Sequence, residues 1–405
     1  MGIYASAPAF AADLAGGCCA DLEERVAELE ATTARKGNRV VSLQVYGQVN
    51  KALLFWDDGV DSDVYVVDND YSGSRVGFTG KAAMKPGWTA GFMVELDIQD
   101  AASNQVDNDT DFDDPSDEIL IRYSNVYIES EQLGRITLGQ GSTGADGASE
   151  VVLGNSLRNS DLQTGNDFLI RFAGSGASSG QRLDQWASNF DSARDDVVRY
   201  DSPSIYGFIV SASWGDNDYA DIALRFKKEW NSVRVAAAIA YQWDGSNDAT
   251  TLVDDFDRAI GLNADAEVLL GSISVMHIPT GLYAAFAAGQ VEVEAQGVGA
   301  TDEANYWYLQ LGLERKFLPY GTTTLYAEYG LYNDVAAIFD GTAATDIEES
   351  EVERWGFGVV QKFDSAALEL YLQATFWGFD AVQYNGDSLD LEDLSTIMVG
   401  SRIKF

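Results

Sequence analysis

The chain has 405 residues, and its 26 Lys plus Arg against 64 Asp plus Glu give a formal net charge of −38. That charge repels phosphate backbones and excludes nucleic acid as a partner. The 19 Tyr, 19 Phe and 9 Trp are too many for a disordered chain, and two Cys cannot build a disulfide scaffold. No run of ~18 apolar residues is available for a transmembrane helix, which leaves the closed β-barrel as the route across a membrane.

Residues 1–11 end in Ala9-Phe10-Ala11, a small-x-small pattern that reads as the remnant of an export signal. Residues 12–39 form a separate N-terminal segment. Within it, 18–36 (CCADLEERVAELEATTARK) is the one convincing helix, with Leu22, Val26 and Leu29 spaced four and three apart as a coiled-coil seam. Too short to be stable alone, it needs either copies of itself or the rest of the protein to pack against. The adjacent Cys18 and Cys19 either bridge between chains or stay reduced.

From residue 40 the hydrophobic period changes from 3.6 to 2. Ser42, Gln44, Tyr46, Gln48 and Asn50 alternate with Leu43, Val45, Gly47 and Val49, and the same dyad recurs at 75–81, 222–227 and 396–405. A soluble sandwich alternates too. Long cations on the polar face and aromatics crowded at strand ends, such as Tyr241 with Trp243 and Tyr306-Trp307-Tyr308, favour a barrel with a water-filled lumen and two interfacial girdles. On this reading most aromatics point outward.

Short turns alternate with longer connections. The turns read 85–87, 132–134, 202–204, 230–232, 270–272, 318–321 and 363–365. The longer connections centre on 58–71, 101–118, 141–196, 216–218, 244–257, 290–304, 335–352 and 380–393. Together they join sixteen strands, so the fold class is all-β: a sixteen-stranded antiparallel transmembrane β-barrel over 40–405 with a short N-terminal coiled-coil helix. Pro279 falls inside an apparent strand and demands a bulge. The single histidine, His277, lies beside Met276 and Ile278, which offer it no catalytic partner.

GNRVVSLQVYGQV (37–49), GSRVGFTGK (73–81), GWTAGFMVELDIQ (87–99), NVYIESEQLGRITLGQ (125–140), VVRYDSPSIYGFIVSASW (197–214) and the terminal VGSRIKF together resemble the Gram-negative general diffusion porins. The resemblance implies a homotrimer in the bacterial outer membrane, in contact with outer-membrane lipids and lipopolysaccharide, that passes ions and small hydrophilic solutes passively. It requires no cofactor. It further implies that Gly400, Ile403 and Phe405 form the outer-membrane assembly signal. Loop 141–196 would fold inward as the constriction, its acids Asp146, Glu150, Asp161 and Asp167 facing Arg75, Arg122, Arg135 and Arg199 on the wall. Ser124 stands where the family commonly has a further Arg.

Acidic loops predict a modest cation preference. Asp107, Asp109, Asp111, Asp113 and Glu118 fall at positions 1, 3, 5, 7 and 12 of the EF-hand spacing, with Phe112 in place of the usual Gly. This run is either a solvated acidic loop or a Ca²⁺ site. Other readings are a structural or adhesive outer-membrane protein contacting a periplasmic or cell-wall partner through residues 18–36, a substrate-specific channel, and an enzyme barrel. The last is disfavoured by one His and the lack of nucleophile–base spacing.

Overall fold

The computed structural model describes residues 40–109, 119–192, 194–215, 218–245, 265–293, 301–339 and 347–405. The expected helix with Leu22, Val26 and Leu29, and also Asp111, Asp113 and Glu118, lie outside the described residues.

Sixteen antiparallel wall strands close on themselves. They are β1 Ser42–Asp57, β2 in two pieces (Ser62–Asp68 and Arg75–Lys85), β3 Trp88–Asp97, β4 Leu120–Ser130, β5 Gly134–Ser142, β6 Arg194–Asp201, β7 Phe208–Gly215 and β8 Ala220–Trp230. They continue with β9 Val233–Asp244, β10 Ala266–His277, β11 Leu282–Val293, β12 Glu303–Leu318, β13 Gly321–Asn333, β14 Ile347–Phe363, β15 Leu368–Gln383 and β16 Leu394–Lys404. Each pairs with its sequence neighbours, and β16 pairs with β1 from Gln48↔Lys404 to Asp57↔Ser395. Closure leaves no wall strand with an unpaired edge, as an apolar surrounding demands.

Parity sets the two faces. Val45, Val49, Leu53 and Phe55 of β1 are exposed outward, while Gln48, Asn50, Ala52, Leu54 and Trp56 are buried inward. On β8, Ile222 and Leu224 face out and Asp221 and Ala223 face in. Trp214, Trp230, Trp243, Phe317, Tyr320 and Trp355 are exposed on the outside, the expected amphipathic belt. Not every aromatic at a strand end points outward, however. Tyr306, Tyr308, Tyr326, Tyr332, Trp377 and Phe379 are buried inside the barrel, where they pack beneath an inserted loop.

Two connections and one strand register differ from the sequence reading. Residues 270–272 are not a turn, because β10 runs straight through them with Leu269 outward and Leu270 inward. The chain reverses at 278–281 instead. There Pro279 forfeits no ladder bond, Gly281 N–H donates to the His277 carbonyl at 2.8 Å, and Gly281 adopts a φ of +74° that favours glycine. His277 ends on the exposed outer face, its Nδ1 2.8 Å from the Thr280 hydroxyl. The connection after β1 is short, since Ser62–Asp68 already pairs with β1, and β2 is interrupted at 69–74. Finally, the register slips between Glu95 and Leu96, so Arg122 is the extra residue of a bulge on β4. This turns Arg122 and Tyr123 inward and leaves Ser124 exposed on the outer face.

Candidate functional site: the loop inside the barrel

The connection between β5 and β6 lies along the inner wall. Its backbone polar groups meet inward side chains of successive strands. Gly144 N–H donates to Ser213 Oγ on β7 at 2.9 Å, and Ala145 N–H to Asp221 Oδ2 on β8 at 2.8 Å. Val151 and Leu153 N–H donate to Ser272 Oγ and Ser274 Oγ on β10 at 3.0 and 3.1 Å, and Asn155 N–H to Glu314 Oε2 on β12 at 2.9 Å. Each removes a desolvated donor that would otherwise be orphaned. At Gly154 the loop meets the Tyr283 ring so closely that a Cβ would stand 2.2 Å from it.

The far end is fastened by charge. Arg354 on β14, fully buried, donates to the carbonyls of Asn159, Ser160 and Asp161 at 3.2, 3.2 and 3.0 Å. The same guanidinium pairs with Glu328 Oε1 on β13 at 3.1 Å, and Arg158 of the loop reaches that oxygen at 3.0 Å. Tyr308 O–H completes the carboxylate at 2.8 Å. Sequence reasoning missed this latch. Its trace is a single Glu at inward parity in β13 and an Arg at inward parity in β14.

The predicted acids sit on this loop. Asn159 Nδ2 donates to Glu150 at 2.9 Å, and Asp167 lies 3.4 Å from Arg182. Asp161, Asp167, Asp184 and Asp191 line a cavity of about 70 Å³ between the loop's two arms. Asp191 also accepts from Gly147 and Ser149 N–H at 3.0 and 2.8 Å. Burial raises the pKa values of Asp146, Glu150 and Asp191, with Asp191 pushed up to about 7. Mutual repulsion with Asp161 adds to the rise for Glu150, and Asp146 does so for Asp191. Arg194, Arg199 and Arg225 act against the rise at Asp146.

The predicted bases do not form one ladder. Arg75 and Arg122 share Glu95 at 3.5 and 3.1 Å, and Arg122 also reaches Asp97 at 3.1 Å. Arg199 stands at the loop's stem. It is held by Asp201 at 2.7 Å and donates to the Ser142 and Thr143 carbonyls at 3.1 and 2.7 Å. Arg135 stacks over the Tyr127 ring at 3.5 Å. Glu95 and Asp97, inward neighbours of the predicted bases, were missed because a strand supplies acids at that parity as readily as cations.

Asp107 and Asp109 lie in the connection after β3, where Arg171 binds Asp109 at 3.0 Å. Among the described residues, no three His, Cys, Asp or Glu side chains are placed to hold a metal ion. At the terminus, Phe405 and Gly47 exchange backbone hydrogen bonds at 3.0 and 3.1 Å, and the Phe405 ring covers Gly47. Ile403 points outward, and Gly400 makes room inside for the Tyr371 ring.

The family model for Gram-negative porins matches residues 2–380. The chain belongs to the Gram-negative porin family. No curated protein sequence matches it. Solved structures of outer-membrane proteins match in fold. The anion-selective porin from Comamonas acidovorans is 15% identical over 90% of this chain and 100% of its own, with a TM-score of 0.57. OmpT of Vibrio cholerae in its trimer form is 14% identical over 90% and 100%, at 0.55. The outer-membrane channel DcaP of Acinetobacter baumannii is 12% identical over 91% and 99%, at 0.52. Family and fold place this porin in the outer membrane and point to a channel rather than an enzyme.

Two outcomes follow from the loop's geometry. Arg354→Met leaves Glu328 short of one partner and frees three loop carbonyls. Losing one partner of a buried pair costs about 3–5 kcal/mol, enough to detach the segment. Single-channel conductance should rise while the strand signal in circular dichroism is unchanged; unaltered conductance would show that the latch holds nothing relevant to flow. Second, Asp191 loses its charge as pH falls through about 7, and the raised pKa values of Asp146 and Glu150 mean that these two lose theirs at a higher pH than ordinary carboxylates do. The porin's permeability ratio for K⁺ over Cl⁻ should therefore drop between about pH 8 and pH 5, and a ratio constant over that range contradicts the assignment.

Proposed function

We propose that this porin forms a water-filled channel for passive diffusion of ions and small hydrophilic solutes, with cations favoured at the mouth that carries the long loops. One observation carries the reading. A loop rich in acids is pinned by named hydrogen bonds along the inner wall of a closed barrel, so anything that crosses must pass it. The acids at that mouth, among them Asp61, Asp63, Asp387 and Glu392, concentrate cations when ionic strength is low. Conduction of this kind needs no covalent chemistry and no cofactor.

We further propose that the working unit is a homotrimer whose copies share the face of β16 and β1–β5. There Lys51 stands on the outward side between Val49 and Leu53, paired with Asp68 and Asp100. A charged group in the middle of an apolar band is costly against lipid and tolerable against protein. A substrate-specific channel is less well supported, since the inward tyrosines Tyr306, Tyr308 and Tyr332 are covered by the loop and present no open aromatic track. The tethering role rests on residues 18–36, outside the described structure. Lipopolysaccharide contact and a Ca²⁺ role for residues 107–118 stand as further proposals.

Reconstitution tests the main reading. Planar bilayers should show conductance steps in groups of three, liposomes should swell faster the smaller the sugar, and dilution on the loop side should give a cation-signed reversal potential. A detergent-folded barrel that produces neither steps nor swelling would remove the channel function.

A further inference from the structure

Charge in the described lumen is sorted along the barrel axis. The loop half carries Asp146, Glu150, Asp161, Asp167, Asp184 and Asp191. Its cations are shared among acids: Arg182 serves both Asp167 and Asp184, and Arg171 serves Asp58 and Asp109. Arg158 and Arg354 share one Glu328, but both are buried behind the loop, away from the water path.

The turn half shows the opposite balance. Lys81 on β2, Lys227 on β8 and Lys404 on β16 have inward parity, lie near the short turns and are exposed. None of the three forms a salt bridge among the described residues. Arg402 and Lys362 compete for one carboxylate, Glu369, at opposite edges, and Lys404 lies within the field of both and of Arg75. Glu229 is matched by Arg234 at 3.2 Å. Glu314, also at inward parity here, offsets one of these charges, and the three lysines leave the excess in this half positive.

We propose that the channel is electrically bipolar and rectifies ion current. This inference rests on the channel reading and goes beyond it. The physical reason is series conduction through two oppositely charged zones. The acidic zone holds mobile cations and the basic zone holds mobile anions. With the loop side positive, cations move inward from the acidic zone and anions move inward from the basic zone, so carriers accumulate where the zones meet. With the polarity reversed, both species are drawn away from the junction, which is depleted. The effect requires fields that reach across the lumen. The screening length is about 30 Å at 0.01 M salt and about 3 Å at 1 M, so rectification belongs to dilute solution.

The sorting also bears on which solutes fit. A zwitterion that carries its cationic end toward the loop half and its anionic end toward the turn half meets a favourable field at both ends. Small dipolar solutes with separated charges are thus the class that this lumen orients.

The test is a current–voltage curve of the wild-type protein in planar bilayers at about 10 mM and about 1 M KCl, near pH 8 where Asp191 is ionised. The loop side is identified afterward as the compartment in which added protease clips the long loops. At low salt the current should be about two-fold larger with the loop side positive than with it negative, and the asymmetry should vanish at high salt. The triple variant Lys81→Gln, Lys227→Gln, Lys404→Gln alters only exposed lumen side chains. It should keep the conductance steps and bring the low-salt ratio close to one. A symmetric wild-type curve with clear steps, a larger current at the opposite polarity, or a ratio untouched by the triple variant overturns bipolarity while leaving the channel intact. Absence of steps in the wild type would instead defeat the channel reading itself.

Discussion

Every backbone donor and acceptor in a hydrocarbon layer must find its partner inside the protein, and this constraint organises the whole chain. Sixteen strands satisfy it only because β16 returns to β1 and leaves no edge. Once the ladder is closed, side-chain parity is the remaining freedom. One parity is predominantly apolar, as Val45, Val49 and Leu53 show, with Lys51 between them an exception. The other is released from lipid and takes on polar, charged and aromatic groups according to what lies against it.

The inner face is where the protein departs from a simple tube. A long irregular loop inside a barrel carries the same unsatisfied backbone groups that lipid forbids. They are met one by one by Ser213, Asp221, Ser272, Ser274, Glu314 and Arg354, which occupy inward positions on five different strands. The buried Glu328 between Arg158 and Arg354 is an expensive arrangement in desolvation alone. Its return is positional. It fixes one geometry for residues 159–161, where a purely apolar contact would allow sliding. The tyrosines packed around it fill the space behind the loop, so solvent is confined to the loop's other side.

Much of the architecture was legible because period-two alternation is a strong local signal. The strands around 42–57, 220–230 and 394–404 follow directly from it. The turn at 270–272 was misplaced because Gly271-Ser272 carries turn chemistry, whereas the strand continues there through packing on Ile239 that no local pattern reveals. Arg122 and Ser124 share a parity in the sequence, and only the bulge separates them. The site was legible in kind and not in pairing. Acids in the long loop and bases on the wall are both visible in composition. Which carboxylate meets which guanidinium depends on neighbours far apart in sequence, such as Arg354 and Asn159. Tyr306 and Tyr308 were misread as girdle residues for a related reason: crowding at strand ends marks an interface only for the outward parity, and these two have the other.

The account stands on the assignment of one strand parity to lipid and the other to the lumen, and spin labels along β8 test it most directly. Labels placed singly at residues 222, 224, 225, 226 and 227 of the protein in bilayers report access to dissolved oxygen, which prefers lipid, and to a water-soluble nickel chelate. Positions 222, 224 and 226 should favour oxygen, and 225 and 227 the chelate, in strict alternation. Uniform accessibility along the strand, or alternation with the two parities exchanged, would contradict the barrel as described.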